Sequence, residues 1–78
     1  MSREYNFKFP VVLSGFIVSF IPGQLVEKGL WDRLPHNLLH KINDAAESWN
    51  NLVLTKEDLD EIDDATWLQI AELIAPYI

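Results

Sequence analysis

Residues 9–21 read F-P-V-V-L-S-G-F-I-V-S-F-I, and the architecture of the chain turns on whether this run is extended or helical. Just upstream, Tyr5, Phe7 and Phe9 alternate with Asn6 and Lys8, the period-two pattern of a strand with one wetted face. Pro10 has no N–H to donate and suits an edge or a bulge. Val11-Val12-Leu13 continues the extended run, and Ser14-Gly15 offers a tight turn in which Gly15 can take positive φ. Phe16 to Ile21 then returns as a second strand, with Phe16, Val18 and Phe20 on one face and Ile17, Ser19 and Ile21 on the other. The reading is an N-terminal β-hairpin over residues 5–21. Both of its faces are largely apolar and a lone hairpin is marginal in water, so helices downstream must cover it. A membrane span is not expected, because crossing needs about 20 apolar residues and Pro10 and Ser14-Gly15 interrupt this shorter run. Nor is a signal peptide, since Glu4 precedes the run and no small-residue cleavage site follows.

Pro22-Gly23 reads as a stop. Beyond it, Leu25, Val26, Leu30, Trp31 and Leu34 around Gly29 fit a short helix or connector over residues 24–34. Pro35 is placed like the first residue of a helix. After it, Leu38/Leu39, Ile42, Ala45/Ala46, Trp49 and Leu52/Val53 recur at intervals of three and four among polar residues, predicting an amphipathic helix over 35–51. Thr55 opens T-K-E-D, an N-cap followed by acids that complement a helix N-terminus. Leu59 and Ile62 give that turn its buried side, and Asp63 or Asp64 can cap a further helix ending before Pro76. The acidic segment 56–75 is therefore helical, as one bent helix or two, with the adjacent aspartates favouring two. Trp31, Trp49 and Trp67 are expected to anchor three elements on one core. The fold class expected is α+β: a single small domain over 1–78, with the hairpin packed against about three helices.

The chain has 78 residues, 49% of them hydrophobic, no cysteine and a formal net charge of −6. So short a chain supports one core. Lack of cysteine excludes disulfides and thiolate metal sites, and a reducing cytoplasm is the simplest home. The charge is unevenly placed: residues 1–54 are neutral, whereas the last 24 carry the whole −6, with six acids inside positions 57–64. Such a block repels phosphate, which argues against direct nucleic-acid or membrane binding and favours basic protein surfaces.

Candidate chemistry is thin. His36 and His40 lie one turn apart between Asp32 and Asp44, but Asn37 stands where a zinc-protease helix carries its Glu, and no third ligand is fixed nearby. A calcium loop begun at Asp58 and Asp60 fails at Ile62, Asp63 and Gln69. With no cysteine, no serine-containing constellation around either histidine and no glycine-rich phosphate loop, neither an enzyme nor a metal or cofactor site is expected. What remains is binding to another protein through an apolar face around Trp67, Ile70, Ile74 and Tyr77, rimmed by Glu57, Asp58, Asp60, Glu61 and Asp64. A homo-oligomer is left open.

Residues 8–21, K-F-P-V-V-L-S-G-F-I-V-S-F-I, and 54–78, L-T-K-E-D-L-D-E-I-D-D-A-T-W-L-Q-I-A-E-L-I-A-P-Y-I, together resemble the small tail assembly chaperones of long-tailed phages, particularly of Mu-like and P2-like contractile-tailed viruses. That family tends to open with an extended "P-V-x-x-x-G" hairpin and to close with an acidic segment leading into an apolar helix. Glu57, Leu59, Ile62, Asp63, Ala65, Trp67, Ile70, Leu73 and Tyr77 fall on its pattern. The resemblance implies a non-enzymatic protein, acting in the host cytoplasm, that binds the helices of the tape measure protein and keeps their apolar stretches from aggregating. The residues themselves leave a second class open. This is a small acidic inhibitor, such as an immunity protein, an antitoxin or a phage anti-defence or anti-CRISPR protein, whose acids replace phosphates on the basic groove of a nuclease or CRISPR effector.

Overall fold

Val11–Leu13 is extended, as expected, but its partner is remote in sequence. The computed structural model describes residues 4–5 and 7–78. In it β1 (Val11–Leu13) pairs antiparallel with β2 (Leu52–Leu54), in the register Val11↔Leu54, Val12↔Val53 and Leu13↔Leu52. In each strand the two flanking residues are buried while the central valine faces out.

The expected second strand of the N-terminal hairpin is helical instead. Gly15–Val18 forms α1, and Ile21–Glu27 forms α2 after a short bend at Ser19 and Phe20. The physical reason lies in the same residues. Gly15, Val18, Ile21 and Leu25 are buried, a helical spacing of three, three and four, while Phe16 and Phe20 face solvent. Ser14 is a helix cap rather than a turn residue: its Oγ accepts the Ile17 N–H at 3.4 Å. Gly15 is required by space. A Cβ there would stand 2.0 Å from the Trp49 carbonyl oxygen, so only hydrogen fits where α1 meets the end of the long helix. Pro22 and Gly23, expected to stop the chain, lie in the first turn of α2, where a missing N–H does no harm. Gly29, at φ +70, ends this segment.

Tyr5, Phe7 and Phe9 do share a face, but they form a cluster of rings rather than a strand; Asn6, assigned to the wetted face of that strand, lies outside the described residues. A 3₁₀ turn at Trp31–Arg33 leads to α3, His36–Ser48, which buries Leu38, Ile42 and Ala45. Trp49 caps α3 in the left-handed conformation, φ 56°. The acidic segment is two helices, α4 (Lys56–Asp60) and α5 (Asp64–Ile74), followed by a 3₁₀ turn at Ala75–Tyr77.

These elements enclose one aliphatic core that includes Leu13, Val18, Leu25, Leu30, Leu59 and Ile62. The radius of gyration is 11.5 Å, the size of a compact chain of this length. The architecture is α+β, a single small domain, with its strand pair closed across the chain. A void of about 20 Å³ inside the core is lined by leucine and isoleucine side chains, too apolar to hold water. Among the described residues, no helix is long and apolar enough to cross a membrane.

Candidate docking surfaces

The acidic run is mainly occupied with holding its own helices. Thr55 and Asp58 form a reciprocal capping box at the start of α4. Asp58 Oδ2 accepts the Thr55 backbone N–H at 2.9 Å and the Thr55 hydroxyl at 3.1 Å, while Lys41 Nζ from α3 donates to the same oxygen at 2.6 Å. Partial burial pushes the Asp58 carboxyl up, but the Lys41 and Thr55 hydrogen bonds and the Lys41 charge outweigh it and hold its pKa below the ordinary aspartate value. Asp60 accepts from the Tyr5 hydroxyl at 2.7 Å and from Lys56 Nζ at 2.8 Å. Asp63 caps α5, accepting the Thr66 N–H at 3.1 Å, and the hydroxyl and N–H of Thr66 hold its pKa down. Glu57, Glu61 and Asp64 remain exposed.

The apolar part of the expected face divides. Ile70 and Ile74 are 7% and 2% exposed and belong to the core, on one buried line of α5 with Thr66. They are corrected from docking residues to packing residues: side chains at i and i+4 on a helix share a face, and this is the face that α5 turns inward. Trp67 is half-buried and Tyr77 is exposed.

Beside the buried line, Trp67 meets Tyr5 edge-on at 5.4 Å between ring centroids and Phe7 at 6.2 Å. These rings form one wall of an open groove of about 410 Å³, which Glu4, Leu68, Ala71, Ala75 and Ile78 complete. Leu68 is 67% exposed, and along α5 it lies one turn from both Asp64 and Glu72, positions that neighbour it on the helix surface. The groove is thus aromatic and aliphatic within and acidic along its edge. Sequence reasoning missed Leu68, Phe7 and Ile78. The available signal was that α5 is apolar well beyond the single stripe it needs for burial.

A second exposed group was also missed. Phe16 and Phe20 pack edge-to-face at 5.2 Å, yet both are largely in solvent. Trp49, whose backbone abuts Gly15, is 63% exposed.

His36 and His40 stack at 5.8 Å on α3. Among the described residues, no group of three or more His, Asp or Glu side chains is gathered as a metal site would need. Comparison of the chain with protein-family models, curated proteins and solved structures finds no match to any of the three.

Proposed function

We propose that this protein is a non-enzymatic binding factor that holds an amphipathic, basic-flanked helix of another protein. The observation that carries the reading is the groove beside α5, lined by the half-buried Tyr5, Phe7 and Trp67 rings, the exposed Leu68 and Glu4, with Asp64 and Glu72 one turn from Leu68 along the helix. A helix laid in such a groove buries its apolar face against the rings and offers lysine or arginine to the acidic edge. The more specific form of the proposal is a phage tail assembly chaperone, acting in the host cytoplasm, whose partner is the tape measure protein. A long helical partner of that kind exposes many amphipathic turns, and a small, strongly acidic module would keep them soluble.

The engagement of Asp58 and Asp60 with Thr55, Lys41, Tyr5 and Lys56 weighs against the acidic-inhibitor reading, because carboxylates tied into caps and ion pairs are poor substitutes for a row of free phosphates. The test is co-expression with the tape measure protein encoded in the same genome. The wild-type chain is expected to keep that protein in the soluble fraction and to co-purify with it, while Leu68→Asp does neither and still folds. Equal solubility with and without the chain would overturn the chaperone reading.

A further inference from the structure

We infer that the floor of the groove beside α5 is a hole for one aromatic side chain of the bound helix, and that Ala71 sets the size of side chain it accepts. The inference rests on the proposal that a basic amphipathic helix occupies this groove, and it names the residue by which that helix is chosen. Leu68, Ala71, Glu72 and Ala75 stand at i, i+3, i+4 and i+7 along α5 and the turn that follows it, the four positions that surround a knob from a facing helix. Leu68 is 67% exposed and Ile78, beyond that turn, is 49% exposed, so each end of the row is raised. Between them Ala71 and Ala75 present only methyl groups, and both line the open space of the groove. The inward line of the same helix is Thr66, Ile70 and Ile74. The short side chains on the groove side are therefore separate from the core packing, and added bulk there has the groove to enter.

The walls decide what can reach that floor. Trp67 meets Tyr5 and Phe7 at 5.4 and 6.2 Å between ring centroids, and the Tyr5 hydroxyl donates to Asp60 at 2.7 Å, which ties this N-terminal wall to the folded body. With rings along one side and Leu68 and Ile78 at the ends, a partner backbone is kept at the roughly 8–10 Å interaxial distance of ordinary helix packing. Only a side chain spans the remaining gap to the methyls. The wall rings meet one another tilted or edge-on, and a further ring entering beside them continues that arrangement, which is favoured beyond the area it buries. The space of about 410 Å³ is within the range of sites that enclose small organic groups. Charge selects the helix that carries the ring. Glu72 borders the hole and Glu4 lines the groove from the N-terminal segment, so lysine or arginine one turn to either side of the aromatic residue meets an acid.

Three synthetic peptides test the inference. They share one lysine-flanked amphipathic helix and differ only in a central phenylalanine, leucine or alanine, and each is titrated calorimetrically into the full chain. The wild type is expected to bind the phenylalanine peptide most tightly and the alanine peptide roughly tenfold more weakly or worse, the loss typical of truncating an interface anchor. Ala71→Leu fills the hole and is expected to weaken the phenylalanine peptide by roughly tenfold while leaving the alanine peptide as it was, with the circular dichroism spectrum unchanged. Ala75→Leu, at an exposed position, decides the matter in the same way if Ala71→Leu perturbs the fold. A merely apolar surface would bind the phenylalanine peptide equally well or better after either change, since each adds apolar area, and that result would overturn the inference while leaving the groove reading in place. So would equal affinity of the wild type for all three peptides, and tighter binding of the leucine peptide than the phenylalanine one would overturn the aromatic anchor. Binding of none of the three to the wild type would overturn the groove reading itself, and the hole with it.

Discussion

Asp58 concentrates several of the effects that hold the acidic segment in place. Its carboxylate closes the capping box with Thr55 and receives Lys41 from α3, so Asp58→Ala removes a cap and a bridge between helices at once. The expected loss is about 1–2 kcal/mol by denaturant unfolding. The pH dependence follows from its lowered pKa. In the unfolded chain the carboxyl takes up a proton at higher pH than in the folded one, so the stabilisation is complete above the unfolded value and is lost as pH falls through the folded one. Wild type should therefore lose stability in acid more steeply than Asp58→Asn, with the two curves converging at low pH. The glycines divide in the same physical terms. Gly15→Ala forces a methyl into the Trp49 carbonyl and should cost about 1–3 kcal/mol. Trp49→Gly relieves the left-handed cap and should raise the stability of the isolated chain by about 1 kcal/mol, a gain that thermal unfolding at low protein concentration would register.

At the scale of elements, helix α5 is the informative case, because its inward and outward lines carry different work. Ile74→Ala deletes buried methylenes and should lower stability by about 2–5 kcal/mol. Leu68→Ala, on the open side, should change stability by less than about 0.5 kcal/mol and reduce binding of a basic amphipathic peptide; calorimetric unfolding and titration separate the two. Much of this element pattern is legible in the residues. The amphipathic spacing of α3, the Thr55 cap and the paired aspartates before α5 each locate a helix through local chemistry. The β1 partner is not local. Phe16 to Ile21 carries β-branched and aromatic residues that suit a strand, and its helical character rests on the buried line Gly15–Val18–Ile21–Leu25, which becomes visible only when the segment is read together with the residues beyond Pro22. The pairing of Val11–Leu13 with Leu52–Leu54 then depends on α1 and α3 packing against each other, with the Trp49 carbonyl seated on Gly15. The site was partly legible for the same reason: periodicity finds the apolar residues of α5 but does not say which of its lines the N-terminal rings leave open.

For the whole molecule, the net charge is confined to one part of the chain. The neutral first 54 residues supply the strand pair, the α1–α2–α3 layer and the exposed Phe16, Phe20 and Trp49 rings, and the last 24 supply most of the acids and much of the lining of the groove. If the acids steer a basic helix, raising salt should slow its association far more than its dissociation, a split that stopped-flow fluorescence of the peptide would resolve. The central claim is that the groove beside α5 receives such a helix. The most direct measurement is a titration of the isotopically labelled chain with a synthetic amphipathic peptide bearing lysines on both flanks, followed by amide chemical shifts. Saturable shifts centred on Leu68, Ala71, Ala75 and Ile78, absent in Leu68→Asp, are the predicted result. No saturable shift, or shifts confined to the Glu57–Glu61 acids or to Phe16 and Trp49, would contradict it.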